Sequence, residues 1–176
     1  MKIQLKGNTV GCISLKDGLV DITDPCYNKD VWCRMNGVKV SPGEWLCTAF
    51  SGKDKCFGKR VWVCQIFSSD PKHFRLRSLA NMYRDGWKEI GTIGVDAGLA
   101  GFFASKPDFN DTEWEDLCDW MHDKDVMCTS VLNSFNKCPV PVEGFWTSSG
   151  VGDGCYPVLA YRDEEGTIVG LEIRFL

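Results

Sequence analysis

The residues from Thr147 to Pro157, Thr-Ser-Ser-Gly-Val-Gly-Asp-Gly-Cys-Tyr-Pro, hold the densest chemistry in the chain. Gly150, Gly152 and Gly154 let the backbone take left-handed conformations and let a ligand approach closely. Successive N–H groups in such a turn can converge on an anion. Ser148, Ser149 and Asp153 add hydroxyl and carboxylate groups, and Tyr156 follows directly. A Walker A loop would need Gly-Lys-Ser/Thr before a helix, and a dinucleotide fingerprint also needs a following helix. Here the chain runs on into Tyr156-Pro157-Val158-Leu159-Ala160, a strand. A wide turn whose polar residues satisfy their own backbone explains the segment equally well.

Two further acids sit at the ends of apolar runs. Asp96 lies in Val95-Asp96-Ala97-Gly98-Leu99, a bend between two strands. Burying a carboxylate is costly unless it is paired, so Asp96 either accepts backbone N–H bonds there or faces a site. Asp24 ends the strand Ile22-Thr23 before Pro25-Cys26-Tyr27, where an Asx-turn is the simple alternative to a functional role. If the three segments converge, Asp24, Asp96 and Asp153 could bind a hard cation; no metal or other cofactor is assigned on this basis. His73 and His122 are read as surface residues, and no spacing singles out a Cys–His nucleophile pair.

The elements that must position these groups are mostly strands. Short alternating runs bounded by Gly, Pro, Asn and Asp are expected near 2–6, 9–15, 19–23, 37–40, 44–50, 60–67, 90–95, 99–104, 143–148, 155–161 and 167–175. Asp17-Gly18 reads as a turn, and Arg162 to Gly166 as a hairpin tip. In the last strand Ile168, Gly170, Glu172 and Arg174 share one face, and Val169, Leu171, Ile173 and Phe175 the other. A helix begins near 111, with Thr112 and Glu115 as a capping box and Trp114, Leu117, Cys118 and Met121 on one face. A second, weaker helix is placed at 124–134. Residues 72–85 fit either a strand (Phe74, Leu76, Ser78) or a helix (Leu76, Leu79, Ala80, Tyr83). The fold class is therefore mainly β (α+β): twisted antiparallel sheets forming a sandwich or partly open barrel, with one or two helices around 111–134.

At 176 residues the chain suits a single domain, 1–176. Its 44% hydrophobic and 25% charged residues argue against disorder. A net charge of −4 gives no support to generic nucleic-acid binding. The charge is uneven: residues 51–88 hold nine Lys or Arg against three acids, and 105–125 eight acids against two Lys. These are solvated faces or an anion-attracting surface. The opening residues lack a signal peptide's apolar run, and no stretch is long enough to span a bilayer. A soluble, cytoplasmic protein without membrane partners is expected, its ten cysteines reduced thiols without a C-x-x-C pair.

The elements Asp-Pro-Cys-Tyr, Val-Asp-Ala-Gly-Leu-Ala-Gly-Phe-Phe and Ser-Ser-Gly-Val-Gly-Asp-Gly-Cys-Tyr-Pro-Val together resemble a family of uncharacterised proteins common in phages and bacteria, a domain of unknown function. Its members carry D-P-x-Y, D-x-G and S-G-x-G-D-G-x-Y-P-V elements. The resemblance implies Asp24, Asp96, Ser149, Gly150, Gly152, Asp153, Gly154 and Tyr156 as the positions of interest and little chemistry. The cysteine-rich 47–64 region is not part of that pattern.

Three functions follow as expectations. The preferred one is a small-molecule binding protein for a polar or phosphorylated, nucleotide-like ligand. Asp24, Tyr27, Asp96, Ser148, Ser149, Gly150, Gly152, Asp153, Gly154 and Tyr156 form its site, Lys and Arg from 53–88 supply charge, and Trp146, Tyr27 or Tyr156 stacks on a ring. A phage-encoded protein sequestering a host signal in the host cytoplasm is the concrete version, by analogy alone. The alternatives are a protein-interaction module or inhibitor of a host enzyme, acting through the acidic segment, and a hydrolase or lyase using Asp153 or Asp96 as base with Ser149.

Overall fold

Because side chains alternate across a strand, a half-buried sheet needs a second layer on its apolar face. In the computed structural model two antiparallel sheets supply that layer for each other, and neither is closed into a barrel. The structure describes residues 4–82, 84–104, 108–123, 130–132 and 143–175. In chain order the strands and α-helices are β1 (Lys6–Leu15), β2 (Leu19–Thr23), β3 (Met35–Lys39), β4 (Gly43–Asp54), β5 (Gly58–Ser68), α1 (Phe74–Met82), β6 (Lys88–Val95), β7 (Leu99–Phe103), α2 (Asp111–Asp123), β8 (Ser130–Leu132), β9 (Gly144–Ser148), β10 (Gly154–Arg162) and β11 (Ile168–Arg174). The first sheet runs β1-β4-β5-β11-β10-β6 and the second β3-β2-β7-β9-β8.

The sheets share one core. Trp45, Cys47, Cys64, Ile66, Ile93, Val158, Leu171 and Ile173 from the first meet Val20, Ile22, Ala100, Phe102 and Phe145 from the second. Trp45 is fully buried, and its indole Nε1 donates to the Ser41 carbonyl at 2.9 Å. A smaller cluster lies on the outer face of the first sheet, where Phe67, Trp87, Leu159 and Val169 receive Ala80 and Leu76 of α1. Cys12, Cys33, Cys47, Cys56, Cys64 and Cys155 are thiols outside any disulfide. No helix among the described residues is long and apolar enough to cross a membrane.

Several local expectations change. Residues 4 and 5 precede β1 and form no separate strand. Of the 72–85 segment, residues 72–82 are helical and Tyr83 lies outside the described residues: Asp70 accepts the Lys72 N–H at 3.0 Å, and Pro71 opens a 3-10 turn that leads into α1. The capping box of α2 lies two residues earlier than expected. Asn110 Oδ1 accepts the Glu113 N–H, and Glu113 Oε2 accepts the Asn110 N–H, both at 3.0 Å. Of the second helix placed at 124–134, residues 130–132 are strand β8, paired with β9. The remainder of that segment lies outside the described residues. Asp17-Gly18 is the turn expected between two strands, and it carries the chain from β1 in the first sheet into β2 in the second.

In β11, Leu171, Ile173 and Phe175 face the core as the alternation predicts, but Ile168 joins them and Val169 joins the outer cluster. A register shift between Tyr161 and Arg162 accounts for the exchange, since one slipped residue swaps the faces. Phe67 anchors the outer cluster against Trp87 and Tyr161, with ring centroids 6.3 and 5.9 Å away. Phe67→Ala should therefore cost about 3–5 kcal/mol. Urea unfolding would show this as a lower midpoint at unchanged slope; a loss under about 1 kcal/mol would mean that α1 contributes no packed layer.

Candidate functional site

The chain leaves β6 at the edge of the first sheet and enters β7 inside the second within three residues. The amides of that bend belong to neither ladder, and buried N–H groups need partners. Asp24, fully buried at the end of β2, supplies two. Its Oδ2 accepts the Asp96 N–H at 2.9 Å and the Ala97 N–H at 2.8 Å. Its Oδ1 accepts the Cys26 N–H at 2.8 Å, the expected Asx-turn ahead of Tyr27. Asp153 takes the third bend amide, Gly98 N–H to Oδ1 at 3.1 Å, while the Ser149 N–H donates to the Gly98 carbonyl at 2.9 Å.

The three acidic segments thus meet at one bend, in roles the sequence did not separate. Asp24 and Asp153 hold the bend that carries Asp96, and Asp96 projects an exposed carboxylate. The hard-cation arrangement does not form: oxygens of Asp24 and Asp153 accept amides, and among the described residues no group of three His, Cys, Asp or Glu could hold a metal.

The glycine-rich loop is stitched by its own groups. Ser149 Oγ donates to the Gly152 carbonyl at 2.6 Å. Tyr156 Oη donates to that same carbonyl at 2.7 Å and lies 3.1 Å from the Ser149 carbonyl. The Gly152 N–H returns to the Ser149 carbonyl at 3.0 Å, and Gly154 pairs with Val95 in the sheet. The Ser149 and Gly152 amides, donated to the Gly98 and Ser149 carbonyls, are thereby taken from any anion. Gly150 is required there: its φ is 59°, and a Cβ would stand 2.8 Å from the Phe175 Cβ and carbonyl. Tyr156 packs edge-on against Phe175, 5.1 Å between centroids, and burial raises its phenol pKa. Ser148 is 3% exposed, and its Oγ has no partner; Trp146 Nε1 is buried in the same state.

Beside the bend, segment 24–34 runs along the outer edge of β6. The Gly94 N–H donates to the Cys33 carbonyl at 2.8 Å, which blunts an otherwise open strand edge. Arg34, 7% exposed, ties the segment down by donating from Nη1 to the Tyr27 carbonyl at 2.8 Å and from Nη2 to Asp21 at 3.4 Å. The Tyr27 hydroxyl hydrogen-bonds the Cys33 side chain. Its pKa is pushed well above the tyrosine range by burial first, then by Cys33 and by the charges of Asp96 and Asp24. Gly94 makes room for this pair: a Cβ there would stand 2.7 Å from Cys33 Sγ and 3.7 Å from the Tyr27 hydroxyl. Cys155, paired with Gly94, is exposed on the same face.

Cys33 and Gly94 were not singled out from the sequence. The available signal was a glycine in each repeat of Ile-Gly-Thr-Ile-Gly-Val, where a strand forgoes side chains. His73 is a correction as well: it is 3% exposed, with Nδ1 3.0 Å from Ser68 Oγ and Nε2 3.7 Å from Asp163 Oδ2. Ser68 is itself 2% exposed, so this row ties the end of β5 to the β10–β11 hairpin and offers no accessible nucleophile. The side chain of His122 lies outside the described residues.

A family described as proteins of unknown function (DUF4241) matches residues 13–173, and the chain belongs to it. The match spans all three acidic segments. No curated protein and no solved structure matches the chain.

The division of labour among the acids can be measured. Asp24→Ala strands three amides and should cost about 3 kcal/mol or more, whereas Asp96→Ala should stay within about 0.5 kcal/mol. Equal losses in urea unfolding would refute the assignment. Tyr27 should also keep its proton beyond pH ~10, where an unfolded chain's tyrosines ionise. The folded state then binds more protons than the unfolded one, so stability falls as pH rises past that point. Tyr27→Phe should shrink the late component of an alkaline absorbance titration, leaving the part due to Tyr156, and remove its own share of that fall.

Proposed function

We propose that the chain is a binding protein for a small polar ligand, received where Asp96, Asp153, Tyr27 and Cys33 gather. The observation that carries this reading is the meeting of three separate segments at one bend, with Asp24 spent on the scaffold and Asp96 turned outward. A surface needing only to close a turn has no use for the exposed acid beside a phenol and a thiol.

Charge shapes the ligand. Asp96 and Asp153 favour an amine or other N–H donor and repel phosphate. A nucleotide-like ligand would therefore present its base edge to the carboxylates. Turnover is the weaker alternative, because the Ser149 hydroxyl donates to the Gly152 carbonyl rather than to a base, and Asp153 Oδ1 accepts the Gly98 N–H. Sequestration of a host signal by a phage-encoded protein remains the concrete biological version, and it rests on motif resemblance. A protein-partner reading draws on one observation: Asp111, Glu115 and Asp119 form an exposed i, i+4 stripe on α2, with Asp116 exposed beside it. Like charges at that spacing cost the helix a few tenths of a kcal/mol per pair, roughly, and a basic partner would relieve them.

Native mass spectrometry of protein purified from its host cells separates these readings. A small adduct should be present, be lost in Asp96→Ala and Tyr27→Phe, and be released intact on denaturation. Persistence of the adduct in both variants would exclude this face. A clean apo mass, with partner capture abolished by Asp116→Lys and Asp119→Lys, would favour the acidic helix.

A further inference from the structure

The outer face of the first sheet is apolar where α1 covers it and polar beside the helix. Thr9, Thr48, Gln65 and Glu172 stand opposite one another across β1, β4, β5 and β11, so their side chains share that face. The Thr9 and Thr48 hydroxyl oxygens are 3.3 Å apart, and Gln65 Nε2 donates to Glu172 Oε2 at 3.4 Å. Gln65 is 2% and Glu172 0% exposed, in strands that otherwise read Val-Cys-Gln-Ile-Phe and Gly-Leu-Glu-Ile-Arg. Arg174 Nε donates to Glu172 Oε1, which balances the buried carboxylate internally, while Arg174 Nη2 is buried without a partner.

A groove of about 290 Å³ opens over this row, walled by Arg77 and Asn81 of α1 and by Phe50 and Phe67. Placing a polar row inside a sheet costs burial energy that leucines would have gained. Such a row suits recognition, because an apolar pocket with a few placed polar groups is how small ligands are oriented. Arg77 is the one charged side chain in the lining. Among the described residues it forms no ion pair, and its guanidinium rests 5.3 Å from the Phe74 ring centroid. A single guanidinium with hydroxyl and amide neighbours matches one carboxylate, and the half-buried Phe50 ring matches a planar body.

We propose that this groove is a second binding site, specific for small aromatic carboxylates. Arg77 takes the carboxylate, and Thr9, Thr48, Gln65 and Asn81 read the ligand's polar substituents. The site is independent of the acidic face at Asp96, which is built from other elements and carries the opposite charge.

The test is an NMR titration that follows the side-chain amides of Gln65 and Asn81. Benzoate and 4-hydroxybenzoate are added to millimolar concentration, each beside its uncharged amide. Saturable shifts with the acids, weaker by about tenfold or more with the amides and in Arg77→Gln, are expected from a charge-assisted bond. Thr48→Val should lower affinity for 4-hydroxybenzoate more than for benzoate. Equal responses to acid and amide, or no shift of Gln65 and Asn81 with either acid, would overturn the proposal. An Asp96→Ala control should leave these shifts unchanged; their loss in that variant would also overturn it, by tying the groove to the other face.

Discussion

One carboxylate joins the two sheets at the point where the chain changes layer. β6 pairs only with β10 at the edge of the first sheet, and β7 lies in the middle of the second. Between them the backbone must turn without a ladder, leaving N–H groups that water cannot readily reach. Asp24 accepts two of these amides from a position fully shielded from solvent, and Asp153 accepts the next. Hydrogen bonds to a charged acceptor are worth about 1.5–3 kcal/mol each, against about 1 for neutral pairs. The end of β2, the β6–β7 bend and the glycine-rich loop are thereby fastened together. The face at Asp96 exists because that fastening holds.

The same economy recurs across the fold. Several polar side chains placed in apolar settings are matched to backbone breaks. Asp70 caps the turn into α1, Arg34 binds the carbonyl of Tyr27, and Asp163 accepts the Glu165 and Thr167 amides in the hairpin that His73 approaches. The row through Gln65 and Glu172 departs from this pattern. It satisfies itself in part but lies mid-strand, where no backbone break calls for it. That contrast separates the groove from the structural carboxylates, even though all are similarly buried.

Much of the fold was legible because its signals are local. Alternation located ten of the eleven strands among the described residues to within a few residues, since the apolar face of a half-buried strand shows every second residue. β8 escaped because three residues are too few to display a period, and its partner β9 is remote in sequence. The cap of α2 was misplaced by two residues because Asn110, Asp111 and Thr112 all suit an N-cap by composition, and only the geometry of Glu113 selects Asn110.

For the candidate site, residue types and spacing determined that Asp24, Asp96 and the 147–157 loop were unusual, and that a turn and a bend lay there. They also determined a β-rich class, a sandwich or a partly open barrel, since alternating strands must bury one face. Tertiary structure alone decided what each acid does. A carboxylate's role depends on which amides lie within about 3 Å of it, and two of the three on Asp24 come from residues 72 and 73 positions away. It also decided that the glycine-rich loop closes on itself through Tyr156, that Gly94 makes room for Cys33, and that Gln65 meets Glu172. Such pairings follow from strand order and register, which a single sequence encodes only through the sum of many contacts distant along the chain.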